Sequence, residues 1–286
     1  MELWVKNSSV HGYADDTSTS VAAQTENEVI QKLEADAKRM LRYLASNSLS
    51  ANPNKTGFMI IRTSKAAMRE IKVGNANVQE ETCHRILGFT INNTLTWQDH
   101  VNKELKTSLN RRIGALKRIA HHIPKHYLPQ IASAIVGSKI RYGISIYGSV
   151  RLSNCDPQPA LYHQLQVSLN SAMSVASGYR RSDRISIQKL SEITNIKSVN
   201  QMAAEDSLML MWQSLNGHNS PLLEAVSGQD TWPKNTRAKT RGDIRKNATT
   251  NLSRANFPHK AISLWNSVDP TLRSIKEKRP AKTFAI

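Results

Sequence analysis

The sequence predicts an α+β protein that is mainly helical, with hairpins in its first hundred residues and helices in the remainder. Two short segments, residues 10–21 and 85–97, combine β-branched and aromatic residues with turn-forming residues, which is typical of hairpins. From Thr96 onward, apolar residues recur at the three- and four-residue spacing of amphipathic helices. We therefore expect a small sheet region followed by a helical region.

Length and composition restrict the class of protein. The 286 residues are enough for one large or two ordinary domains, and 39% of them are hydrophobic, enough to bury a core. No apolar run approaches the roughly 18 residues of a membrane span, and residues 1–10 do not resemble a secretory signal. Two isolated cysteines fit a reducing, intracellular compartment, either nucleus or cytoplasm.

The net charge of +17 lies in two blocks. Residues 101–151 carry 10 basic and 1 acidic side chains, and residues 234–286 carry 13 and 3. Residues 1–100 are neutral, with 11 of each sign. Concentrated positive charge indicates a polyanionic partner, although solvated basic helices with a basic tail would give the same pattern.

The segment at residues 10–21 places two carboxylates, Asp15 and Asp16, at the tip of a predicted hairpin. Two adjacent like charges raise the pKa of at least one carboxyl unless a cation shares the site. Hard oxygen donors of this kind suit magnesium. A solvated Asp-Asp turn is the simpler alternative.

A helix, a strand and a lysine follow. Thr25 and Glu28 form a capping box that opens a helix over residues 25–49, which we expect to pack on the sheet of the hairpin. Residues 58–61 (FMII) read as a short buried strand, which completes a split β-α-β arrangement. Lys55 lies at the entrance of this strand and hence near one end of the sheet.

Residues 85–97 predict a second hairpin that turns at Asn92 and Asn93. Thr96 then caps a helix whose outer face is strongly basic, and Pro124 opens the next helix. The buried stripe of the basic helix consists of Val101, Leu105, Leu109, Ile113, Leu116 and Ala120. Its outer face carries Lys103, Lys106, Arg111, Arg112, Lys117 and Arg118.

The last part of the chain is predicted to be helical with a polar interruption. A boundary is expected at residues 155–159, helices at 161–176, 198–216 and about 261–268, and a mobile or partner-ordered segment at 228–256. The methionines of the second helix read as core residues. His121, His122 and His126 straddle a proline without further ligands nearby in sequence, so we do not predict a zinc site there.

The order of these segments resembles the C-terminal part of the reverse transcriptase of non-LTR retrotransposons. The matching blocks are YADD at residues 13–16, LSANPNKTGFMI at 49–60, RILGFTINNTLTWQDHV at 85–101, the basic helices through IRYGISIYG, and LWNSVDPTLR at 264–273 with Phe284. The resemblance implies half of a palm in residues 1–97, a thumb in 98–153 and a C-terminal helical region in 154–286.

The resemblance also implies residue roles in nucleotidyl transfer with two Mg²⁺ ions. Asp15 and Asp16 would bind metal, and Lys55 would place positive charge near the pyrophosphate. The residues expected to contact the primer are Tyr13, Ala14, Leu87, Gly88 and Phe89. Those expected to bind phosphates of the RNA template and DNA primer are Lys103, Lys106, Arg111, Lys117 and Arg118. In the complete enzyme a dNTP would be the other substrate.

One departure from the family limits this expectation. A further metal-binding Asp and the fingers come from residues upstream of the YADD hairpin in the family, and only twelve residues precede Tyr13 here. We therefore expect a fragment of an RNA-directed DNA polymerase that is inactive alone, with the missing part of the polyprotein as a possible partner. The alternatives are a non-enzymatic nucleic-acid-binding protein that uses the basic thumb and tail, and an unrelated metal-dependent phosphodiesterase.

Overall fold

The computed structural model describes residues 4–52, 55–62, 67–148, 160–179, 181–215, 243–244 and 257–273. It is a mixed α+β structure, mainly helical with small antiparallel sheets, as the sequence predicts at this level. The chain forms two compact units, Met1–His100 and Val101–Ile286. Among the helices of the described ranges, none is both long and apolar enough to cross a membrane.

In the described part of the first unit, the sheet structure consists of three separate two-stranded hairpins. They pair β1 (Ser9–Tyr13) with β2 (Asp16–Ser20), β3 (Glu70–Val73) with β4 (Ala76–Gln79), and β5 (Cys83–Ile86) with β6 (Phe89–Asn92). The first of them is the predicted YADD hairpin, with Tyr13 opposite Asp16. This prediction is confirmed.

The predicted strand at residues 58–61, and with it the split β-α-β arrangement, is wrong. Phe58 makes a single parallel bridge to Glu80. The Phe58 carbonyl accepts from the Glu81 N–H at 2.9 Å, whereas the Arg62 N–H donates to the Asn93 carbonyl at 3.3 Å. Because the two ends of this segment bond beyond the ends of different hairpins, it forms no continuous ladder.

The turn of the third hairpin also differs from the prediction. It lies at Leu87 and Gly88, with φ of 49° and 82°, rather than at Asn92 and Asn93. Positive φ at both central residues is the requirement of the tight type I′ turn. Asn92 is instead buried, and its side chain accepts from the Thr96 N–H at 2.7 Å and donates to Asp99 at 2.9 Å.

The hairpin of β3 and β4 was not predicted. The alternation of Ile71 and Val73 with polar residues, followed by Gly74 and Asn75, is a sequence signal for it, because glycine readily takes the positive φ of 65° found at this turn. Ile71 and Val78 from this hairpin are buried.

Helix α1 (Glu26–Ser46) begins as predicted, with the Thr25 hydroxyl accepting from the Glu28 N–H at 3.3 Å. Its main contact is with β3, not with the hairpin of β1 and β2 as we expected. Because the apolar surface lies on the second hairpin and the extended segment, the core of this unit forms there. It contains Phe58, Ile60, Ile71 and Val78, with Ile30, Leu33 and Val73 packed against it.

The second unit begins with the predicted basic helix. A π-helical segment (His100–Leu105) leads into α2 (Lys106–Ile119), followed by a 3₁₀ turn (Ala120–His122). Five of the six predicted stripe residues are buried, which confirms the period: Val101, Leu105, Leu109, Ile113 and Leu116. Ala120 is only partly buried, because α2 ends before it and a 3₁₀ turn begins.

The next helix does not begin at Pro124. A turn precedes α3 (Leu128–Ala132), which has Pro129 in its first turn, and a π-helical segment (Ser133–Gly137) joins it to α4 (Ser138–Arg141). Gly143 adopts φ of 66° and separates α4 from α5 (Ile144–Tyr147). The predicted continuous helix is therefore interrupted where glycine takes the left-handed conformation.

The remaining helices form the rest of this unit. They are α6 (Ala160–Ser177), a 3₁₀ turn (Arg181–Asp183), α7 (Ile187–Thr194), α8 (Val199–Leu215), α9 (Phe257–Ser267) and α10 (Pro270–Arg273). Helices α6 and α8 were predicted, and Met202 and Met211 of α8 are buried core residues. Helix α7 was missed, although Ser186 caps it. Residues 155–159, most of 228–256 and Phe284 lie outside the described ranges.

Candidate nucleic-acid interface and carboxylate hairpin

The two carboxylates lie at the exposed tip of the first hairpin. Ala14 and Asp15 connect the paired residues Tyr13 and Asp16, and Ala14 has φ of 54°. Tyr13 is 68% exposed, so its ring is available to a partner. Within the described ranges, the side chains of Asp15 and Asp16 make no hydrogen bond or ion pair, and both residues are exposed.

The donor set at this tip fits one side of a magnesium site. Magnesium in polymerases takes one or two carboxylates together with substrate phosphates and water. Across the part of the chain that the structure describes, no group of three or more His, Cys, Asp or Glu side chains lies close enough to hold a metal. Asp15 and Asp16 therefore have no third protein ligand there.

Lys55 is exposed, and its backbone N–H donates to the Asn52 carbonyl at 3.1 Å. No hydrogen bond or ion pair joins its side chain to Asp15 or Asp16 in the described ranges. The structure thus does not bring the predicted palm lysine into direct contact with the carboxylates.

A buried carboxylate anchors the chain immediately before the hairpin. Asp36, 1% exposed on α1, accepts from the backbone N–H of Asn7 at 2.9 Å and from the Ser8 hydroxyl at 2.6 Å, and Arg39 pairs with it at 2.5 Å. Burial alone would raise the pKa of Asp36, but these donors together hold that pKa below its usual range. Sequence reasoning missed this contact, although an Asp within an apolar helical stripe is a signal for it.

A second buried network joins the start of α1 to Glu80, the residue that directly follows β4. Glu80 is 4% exposed and pairs with Arg62, which also contacts Glu26 at 3.0 Å. Glu80 additionally accepts from the Arg69 N–H at 2.9 Å. The hydrogen bond that Arg62 donates to Glu80 raises the pKa of Arg62, so the guanidinium stays charged although its side chain is largely buried.

Two of the residues predicted to contact the primer, Leu87 and Gly88, form the turn of the third hairpin. Leu87 is 44% exposed and Gly88 follows it at the tip. Phe89 packs its ring against Trp97 at 6.4 Å and His100 at 5.3 Å between centroids. Aromatic contacts therefore hold the residue that directly follows the turn, which pairs with Ile86 across the hairpin.

The predicted phosphate-binding side chains lie on the exposed part of α2 and its π-helical start. These are Lys103, Lys106, Arg111, Lys117 and Arg118. Within the described ranges, the last four make no ion pair or hydrogen bond. Arg112 differs, because it donates to the Ile135 carbonyl at 2.8 Å and so has a structural role.

Some other basic residues of the second unit, among them Arg141 and Lys197, are neutralised by acidic side chains. Arg141 donates to Asp206 at 2.8 Å and lies 3.5 Å from Glu205, which also pairs with Lys197. The bond to Asp206 raises the pKa of Arg141. The unpaired positive charge of α2 is thus a property of this helix and is not shared by every basic residue around it.

A groove of about 430 Å³ runs between α2 and α6. Helix α2 contributes Lys106, Asn110, Gly114 and Lys117, and α6 contributes His163, Gln164, Val167, Ser168 and Ser171. Sequence reasoning found the α2 side only, because nothing in the periodicity of α6 indicates which helix it packs against.

Comparisons of the chain with protein-family models, with curated proteins and with solved structures found no match. The geometry described above therefore carries the functional argument.

Proposed function

We propose that this chain is a nucleic-acid-binding fragment of a reverse transcriptase of the non-LTR retrotransposon type. The binding surface is the exposed side of α2 and its π-helical start. Lys106, Arg111, Lys117 and Arg118 support the proposal, since four exposed cations on one helix are left unpaired by the described residues. Cations without protein partners are free to replace the counterions of a phosphate backbone.

Binding of this kind is independent of base sequence. Lysine and arginine contacts to phosphates fix the position of the backbone and do not read base edges. An RNA–DNA hybrid of template and primer is the partner that the resemblance to a polymerase thumb implies.

The polymerase chemistry belongs to a larger assembly in this proposal. Asp15 and Asp16 would provide carboxylate ligands for Mg²⁺, which would supply charge neutralisation for the leaving pyrophosphate of a dNTP. Tyr13, Leu87 and Gly88, at two exposed hairpin tips, would contact the primer backbone, and Lys55 would supply positive charge. Because the described residues provide no third acidic ligand, we propose that the chain alone does not polymerise.

A non-enzymatic nucleic-acid-binding protein is the second candidate, and the same unpaired cations favour it. The two candidates differ in whether the chain supports synthesis once the missing carboxylate is supplied. The phosphodiesterase alternative has less support, because it requires further acidic partners for Asp15 and Asp16 within this chain.

Fluorescence anisotropy with a labelled RNA–DNA hybrid tests the proposal. Replacement of Lys106, Arg111, Lys117 and Arg118 by Ala should weaken binding by roughly tenfold or more at low salt. The matched control replaces four exposed cations elsewhere, Lys38, Arg42, Lys72 and Lys189, and should change affinity far less. Equal losses in the two variants would contradict the assignment to α2, and template-directed dNTP incorporation by the chain alone would contradict the inactive-fragment part.

A further inference from the structure

The groove between α2 and α6 has two chemically different sides. On the α2 side, Lys106 and Lys117 line it, eleven residues apart. At 1.5 Å per residue they are about 16 Å apart along the axis, and their directions differ by only about 20°. Arg111 and Arg118 point about 120° away from this row by the same geometry, so they belong to the exposed side of α2 but do not line the groove.

The α6 side offers hydrogen-bond acceptors. The Ser168 hydroxyl donates to the Gln164 carbonyl and the Ser171 hydroxyl to the Val167 carbonyl, both at 3.2 Å. With its proton used in this way, each hydroxyl oxygen is left to accept a further bond. Both serines line the groove.

The side chain of Gln164 adds a further acceptor, to which no donor of the described residues bonds. Its side-chain Oε1 is buried and has no hydrogen-bond partner in the described part of the structure. An unsatisfied buried acceptor is costly, about 1–3 kcal/mol in general, so such an atom indicates a missing donor. Gln164 is also one of the residues that line the groove.

A ligand that complements this groove carries negative charges along its length and hydrogen-bond donors between them. The separation of the two lysines corresponds to several nucleotides at about 3.4 Å of rise per nucleotide, so a single phosphate group cannot span it. Each ribose of RNA carries a 2′-hydroxyl that can donate a hydrogen bond, whereas deoxyribose has none.

We propose that the α2–α6 groove binds an RNA strand, with Lys106 and Lys117 on its phosphates and Gln164 accepting from a ribose 2′-hydroxyl. This inference rests on the proposed function. It identifies the bound strand as RNA, includes α6 in the binding surface and gives a basis for distinguishing RNA from DNA. Helix α6 lies in the region whose role the sequence did not indicate.

The test compares three single strands of one sequence by fluorescence anisotropy at fixed salt: RNA, 2′-O-methyl RNA and DNA. The 2′-O-methyl group retains the oxygen but cannot donate. Wild type should bind RNA about three- to tenfold more tightly than either analogue, the range expected for one hydrogen bond. Gln164→Met, which is nearly isosteric and lacks the acceptor, should remove this preference, so that RNA binds no more tightly than the two analogues.

Two further variants complete the design. Gly114→Leu adds a side chain within the groove without removing a charge. The position has room for it, because the nearest atom to an added Cβ would be Arg118 Nη1 at 3.8 Å. This variant should bind all three single strands more weakly. Gln188→Met, an exposed glutamine on α7, is the matched control and should keep the preference. Thermal unfolding of each variant checks that the fold is retained.

The outcomes separate this inference from the proposed function. Wild-type binding of the hybrid without any preference for RNA over 2′-O-methyl RNA would overturn the groove assignment and leave the α2 assignment standing. A preference that survives in folded Gln164→Met, or that follows base identity instead of the sugar, would also overturn it. Absence of nucleic-acid binding by wild type would overturn both.

Discussion

The carboxylate of Asp36 accepts hydrogen bonds from the backbone N–H of Asn7 at 2.9 Å and the hydroxyl of Ser8 at 2.6 Å, and so ties α1 to the chain directly before β1. The two exposed aspartates of the hairpin tip follow within eight residues of this contact. A carboxylate that is itself nonfunctional therefore positions the chain entering the hairpin that carries Asp15 and Asp16.

Replacement of Asp36 should destabilise the first unit. Asp36→Ala removes the buried acceptor of the Lys6 and Asn7 N–H groups, which lie at the edge of this contact, and should lower the free energy of unfolding by about 1–3 kcal/mol. Urea unfolding measures this loss. The exposed, unpaired Asp15→Asn is the control, and an equally large loss there would contradict the anchoring role.

Stability should also depend on pH through Asp36. Its pKa is lower in the folded chain than in the unfolded chain, where an aspartate titrates near about 3.9, so the folded state binds the proton less readily. The stabilisation is therefore complete above that unfolded pKa and is lost as the pH falls through the folded one. The difference in unfolding free energy between wild type and Asp36→Asn should shrink in acid; a difference that grows as pH falls would contradict this assignment.

The Arg62–Glu80 pair provides a third prediction. Glu80→Gln removes one of the two carboxylates, with Glu26, that compensate a guanidinium whose side chain is 9% exposed, and should cost about 1–3 kcal/mol of unfolding free energy. Glu70→Gln changes an exposed carboxylate of the same hairpin and should cost far less. Similar losses in denaturant titrations of the two variants would show that the burial of the pair has no energetic consequence.

Leu87 should be replaceable with a gain in stability. It adopts φ of 49° at the first position of a type I′ turn, a conformation that asparagine tolerates better than leucine. Leu87→Asn should raise the free energy of unfolding by roughly 0.5–1 kcal/mol, as judged by the urea midpoint. Leu49→Asn alters a leucine of comparable exposure without positive φ and should produce no gain.

Local signals in the sequence predict several elements correctly. The capping pair of Thr25 and Glu28, the turn at the YADD segment and the apolar period of α2 each depend on residues close together in the chain. The turn at Leu87 and Gly88 was missed because leucine rarely adopts positive φ, so the Asn-Asn pair was the better local candidate.

These local signals do not predict which distant segments of the chain pair with each other. Whether residues 58–61 form a strand depends on which hairpin ends lie beside them, and Phe58 and Arg62 bond to different ones. The α6 side of the α2–α6 groove was likewise missed, because the spacing of apolar residues in α6 does not indicate which helix packs against it. The basic residues of α2 were predictable since their spacing and exposure follow from one helix alone.

The dependence of hybrid affinity on salt tests the central claim, nucleic-acid binding by unpaired cations of α2, most directly. In a plot of the logarithm of the binding constant against the logarithm of the salt concentration, the slope is negative. Its magnitude decreases by about 0.9 for each phosphate contact removed from duplex nucleic acid. In the variant that lacks Lys106, Arg111, Lys117 and Arg118, the magnitude of the slope should be smaller than in wild type by about 2–4. The four-charge control should show the wild-type slope. A slope equal to that of wild type would contradict the account.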